Sequence, residues 1–158
     1  MFTDLQFLLP VIIPGMACVA ILLLSALTQA RGLALVLALA SLAAAAAWTV
    51  AWTEPRSLFS DMLHLDPFAR LGALICLGVG GVACCAAPAY LRRMNIGYEE
   101  EYYALILAGV AGMIVMIAAN DLMVLFVNLE LMSLATYIMC GMNRGSLIYP
   151  DQEFVYDR

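Results

Sequence analysis

Five apolar stretches, each of roughly twenty residues, leave this chain few ways to fold, because a bilayer core about 30 Å thick is crossed by about that many residues in a helix. They run from about residues 5 to 27, 32 to 52, 67 to 90, 102 to 119 and 121 to 141. The 158 residues would suffice for one soluble domain, but 65% are hydrophobic and only 12% charged. Mean hydropathy is +0.97. Too little polar surface remains to cover a water-exposed particle. The expected fold is therefore an all-α integral membrane protein of about five transmembrane helices. Residues 1–144 make one membrane domain, and 145–158 make an acidic polar tail that Pro150 bars from continuing a helix.

The ends of the runs carry expected signals. Pro10 and Pro14 are expected to bend the first run. That run is too long for a signal-peptide core and has only Asp4 as an early charge, so it is read as a helix. Trp48 and Trp52 close the second run as interface anchors, and Tyr102 and Tyr103 lead the fourth. Arg31, Arg92, Arg93, Arg144 and Arg158 fall on one side, against Arg56 and Arg70 on the other. Arginine excess marks the cytoplasmic or matrix side, which puts the N-terminus outside and the C-terminus inside. Glu99, Glu100 and Glu101 then lie inside, read as a solvated loop.

Several function classes drop out. The net charge is −5, and all seven basic residues are arginines, without the basic run that nucleic acid would require. The GVGG at 78–81 sits within an apolar run, where small residues let helices approach, and not between a strand and a helix as a phosphate loop would. The five cysteines, Cys18, Cys76, Cys84, Cys85 and Cys140, form no CxxC, and the single histidine, His64, falls in a loop. The cysteines are read as small apolar fillers, with no metal site and no cofactor site in the chain.

The fifth run, NDLMVLFVNLELMSLATYIMCG at 120–141, holds a carboxylate, Glu130, in its middle. At about 1.5 Å per residue it lies about 13–14 Å beyond Asp121, near the midplane. A charge there costs about 2.5–3.5 kcal/mol on insertion scales, so the residue is expected to face protein or water. Helical spacing sets Val127, Ser133, Leu134 and Tyr137 near its face, and the hydroxyls of Ser133 and Tyr137 make a polar line. Asn128 points away from that line and is available to contact another helix. Burial penalises the charged form of Glu130 and a nearby cation favours it, the physical basis of a proton-transfer site. The structural alternative is a neutral glutamate donating a hydrogen bond between helices. With no lysine in the chain and no arginine deep in a run, a counter-charge for Glu130 comes from elsewhere.

Residues 100–144, EEYYALILAGVAGMIVMIAANDLMVLFVNLELMSLATYIMCGMNR, resemble the antiporter-like subunit N of NADH:quinone oxidoreductase, subunit 2 in mitochondrial complex I. The likeness rests on EYYA leading the fourth run, ANDL at the junction, and LELMSLATY in the fifth. LDPFARLGALI at 65–75 is similar to the stretch that opens the family's third helix. The resemblance implies a proton-translocating membrane-arm subunit of respiratory complex I, with Glu130 as the half-channel glutamate. It also implies a lysine partner on a later broken helix. Flavin mononucleotide, iron–sulfur clusters and the quinone would belong to partner subunits. The expected location is an energy-transducing membrane, the mitochondrial inner membrane or the bacterial plasma membrane.

The family subunit has about fourteen helices, and this sequence carries five runs and none of the lysine helices. A split subunit with a companion chain, a shortened paralogue, and a fragment all fit. The retained Glu130 favours the split subunit. Competing functions are a structural or assembly subunit that no longer pumps, and a small antiporter- or hydrogenase-type membrane subunit.

Overall fold

The computed structural model describes residues 8–27, 32–51, 56–59, 61–93 and 99–142. Five helices follow the apolar runs: α1 (Leu9–Leu27), α2 (Leu33–Ala51), α3 (Pro67–Arg93), α4 (Glu99–Ala118) and α5 (Leu122–Met142). The last four are long and apolar enough to cross a membrane, and α1 contributes a shorter apolar span over Leu9–Ser25. Between α2 and α3 the chain forms an antiparallel hairpin of β1 (Arg56–Leu58) and β2 (Leu63–Leu65). The fold is the expected all-α membrane type, with this one small sheet added.

Local chemistry fixes where the helices start. Asp66 Oδ1 accepts the Ala69 N–H at 2.7 Å, and Pro67 follows at the first helical position, where its missing N–H costs nothing. Asp121 does the same for α5, accepting the N–H groups of Met123 at 2.7 Å and Val124 at 3.4 Å. Pro10 falls in the first turn of α1, while Pro14 lies inside the helix with its ring fully buried.

α4 is the central helix. It packs against α1, α3 and α5 and, to a lesser extent, α2. Tyr103, Leu107 and Val110 are among its deepest side chains. Without a hydrophobic drive between helices in lipid, close packing carries the association. Gly80 supplies it where α3 meets α4, since a Cβ there would come within 2.6 Å of Val110 Cγ2. Its neighbours Gly78 and Gly81 face open space, so one glycine of the GVGG run makes the contact. Gly72 plays the same part against Ile117. Ser41 and Thr49, both buried, donate to carbonyls of their own helix, Ala38 and Ala45, so neither needs a partner in lipid.

Two expectations change. His64 belongs to β2 and not to a loop, and its Nε2 stands 3.2 Å from Asp61. The hairpin turn carries Phe59 and Asp61 at φ 53° and 75°, a left-handed backbone that lets the chain reverse without glycine. Glu99, Glu100 and Glu101 form the first turn of α4 and not a solvated loop. Carboxylates are favoured there by the positive end of the helix dipole. Glu101 is partly drawn into the protein, where its Oε2 is buried without a hydrogen-bond partner among the described residues. Trp52, Arg31, Arg144, Arg158 and the tail 145–158 lie outside the described residues.

Candidate functional site

α5 is the edge helix of the bundle. Its apolar window is 6% buried, against 50% for α4, and α4 is its one substantial helical neighbour among the described elements. The inward line of α5 runs through Val124, Asn128, Ala135 and Met139, which are buried or half-buried. Two glycines of α4 receive it: Gly112 lies under the Asn128 carbonyl and Leu131, and Gly109 lies under Ala135.

Glu130 is the ninth of the 21 residues of α5, hence near mid-helix. It points away from the other helices and is exposed in the isolated chain. Successive helical positions turn by about 100°, so Met123, Phe126, Val127, Leu134 and Tyr137 surround it on one outward face. All five are exposed, Met123 by 76% and Tyr137 by 70%. Glu130 thus sits at the centre of a broad apolar face. Ser133 is half-buried at the edge of that face, and Tyr137 lies two turns further along it. Among the described residues, Glu130 has neither a hydrogen-bond partner nor an ion-pair partner.

Asn128 occupies the opposite face. Its backbone oxygen meets α4 at Gly112, while its Nδ2 donates to Val124 O at 2.7 Å within α5. Thr136, which sequence reasoning did not single out, also donates backward, to Met132 O at 2.9 Å. Such bonds satisfy one donor of each side chain inside its own helix.

The basic side chains within the described residues are remote in the fold from Glu130. Arg70 lies in the first turn of α3 and donates to Val50 O at 3.1 Å. Arg92 and Arg93 end the same helix. A cation able to meet Glu130 at mid-helix is therefore not among them. No group of three or more His, Cys, Asp or Glu side chains among the described residues could hold a metal. The cysteines are free, Cys84 buried and Cys85 and Cys140 exposed.

One polar junction escaped the sequence. Asn120, just before the α5 cap, donates its N–H to Met62 O and its Nδ2 to Asp61 O, both at 2.9 Å. Beside it, Ala119 bridges to Leu63 of β2. ANDL was legible as a motif, but its partner lies 59 residues earlier in the chain. Nothing local announces such a contact.

No protein-family model matches the chain. Individual proteins do. NADH-quinone oxidoreductase subunit N of Hirschia baltica is 34% identical over 135 residues, 84% of this chain and 28% of the relative. The protein of the same name from Trichlorobacter lovleyi is 33% identical over 147 residues, 91% of this chain and 30% of the relative. That of Maricaulis maris is 32% identical over 148 residues, 91% and 31% respectively. The chain thus spans about three-tenths of the length of the relatives it matches.

Proposed function

This chain belongs with the NADH-quinone oxidoreductase N subunits, of whose length it spans less than a third, and on that premise we propose that it works in the membrane arm of such a complex as part of a proton-translocating half-channel. Glu130 is the proton-carrying group. The observation that carries this reading is its position: one carboxylate at mid-helix, in the centre of an outward, otherwise apolar face. Left against lipid, a charge there is costly. Covered by further helices that bring a cation, it becomes a two-state site.

The chemistry follows from two opposed terms. In a low-dielectric site desolvation favours a neutral carboxyl, and a nearby ammonium favours the carboxylate. Moving the cation away draws a proton onto Glu130, and returning it expels the proton. The cation is a lysine on helices packed over α5, in the same polypeptide or another. Redox chemistry, with its flavin, iron–sulfur clusters and quinone, belongs to other subunits. The chain then resides in an energy-transducing membrane, bacterial plasma or mitochondrial inner, as a multi-pass protein.

The test is Glu130→Gln in the assembled complex. The expected outcome is normal assembly and NADH oxidation in uncoupled membranes, with loss of the proton movement that depends on this subunit. Unchanged protons per electron would favour a purely structural role, with the glutamate a neutral hydrogen-bond donor.

A further inference from the structure

The rotation of a helix about its own axis decides where its side chains point. Among the described elements α5 has α4 as its one substantial helical neighbour, through the small-residue seam at Gly109 and Gly112. Since each residue turns by about 100°, a roll of half that carries Glu130 from the centre of its face toward an edge. A second constraint sits at the helix start. Asn120 ties the chain to the hairpin turn by two hydrogen bonds, to Met62 O and Asp61 O, and the Ala119–Leu63 bridge adjoins them.

The hairpin is itself anchored. Leu58 and Leu63 are 2% and 7% exposed and pack with Ala69 of α3 and Ala118 of α4. Val124, one turn into α5, joins the same cluster. The turn therefore offers Asn120 a fixed pair of carbonyls, set by the left-handed backbone at Asp61. Asp121 next in the chain caps α5, which transmits the direction of the junction into the helix axis.

We propose that Asn120 is a positioning residue for Glu130: by clamping the start of α5 to the hairpin turn, it sets the rotation that aims the carboxylate at its partner helices. This rests on the proton-transfer reading of Glu130.

The experiment uses the assembled complex in native membranes. Protons per electron and the infrared carboxyl stretch assigned to Glu130 by its loss in Glu130→Gln are both recorded. Asn120→Ala removes one clamp bond, and Asn120→Asp sets a carboxylate against the Asp61 carbonyl. Both variants are expected to shift or broaden the Glu130 band. Both should also lower pumping by about two- to tenfold, the population change that one net hydrogen bond produces. Asn120→Gln, which keeps the amide, restores part of both. In a Glu130→Gln background Asn120→Ala adds nothing to the pumping loss.

An unshifted band with unchanged pumping overturns the inference, as does a smaller amount of complex whose band and pumping per assembled complex are normal. A pumping-dead Glu130→Gln beside an unaffected Asn120→Ala overturns the inference alone. A Glu130→Gln complex that pumps normally overturns the proton-transfer reading and this inference with it.

Discussion

Glu130 is costly where it stands, and the cost can be measured apart from any activity. An acidic residue at the centre of a spanning helix is disfavoured by about 2.5–3.5 kcal/mol on insertion scales. Glu130→Leu in the isolated α5 segment should therefore favour insertion by about 3 kcal/mol in a translocon-based glycosylation assay. A change near zero would mean that the carboxylate escapes the core by displacing the helix along its axis. Its place near the middle of α5 was legible in the sequence, because a continuous helix from a known start fixes the position of the ninth residue. Its direction was legible in part. Spacing named the residues that share its face, but only the packing of α4 on Asn128 and Ala135 shows that this face turns outward.

Among the elements, the α3–α4 contact offers the sharpest contrast. Gly78 and Gly80 are two residues apart, yet an added Cβ meets nothing at Gly78 and lies 2.6 Å from Val110 at Gly80. Gly80→Leu should destabilise the bundle by about 1–3 kcal/mol, the usual cost of overpacking. Gly78→Leu should stay within about 0.5 kcal/mol, as for a surface substitution. Denaturation in mixed micelles reads both, and equal effects would contradict the α3–α4 geometry. A small-residue run tells a reader that helices approach but not which glycine they use, since the choice depends on the rotation of both. The hairpin was hidden for a related reason. Its strands are three residues each, too short for a period, and it is held by Asn120 from another part of the chain.

For the whole molecule, the arrangement of five helices puts the hairpin at one end with the starts of α3 and α5, and the acidic first turn of α4 at the other with Arg92 and Arg93. Arginine placement predicts that the hairpin end faces outward. Reporter fusions test it: phosphatase active after the hairpin, and fluorescent protein active after Arg93. The reverse pattern would invert the expected orientation. The apolar runs made the membrane fold readable, because lipid forces every spanning segment into a helix that satisfies its own backbone. The lysine helices proposed to pack over the outward face of α5 were not readable, since the sequence holds no lysine. The most direct test of the account is native separation of gently solubilised membranes, with mass spectrometry of whatever travels with this chain. The account predicts migration in a large NADH-oxidising complex, together with helices that carry intramembrane lysine. Migration as a small homo-oligomer without redox subunits would contradict it.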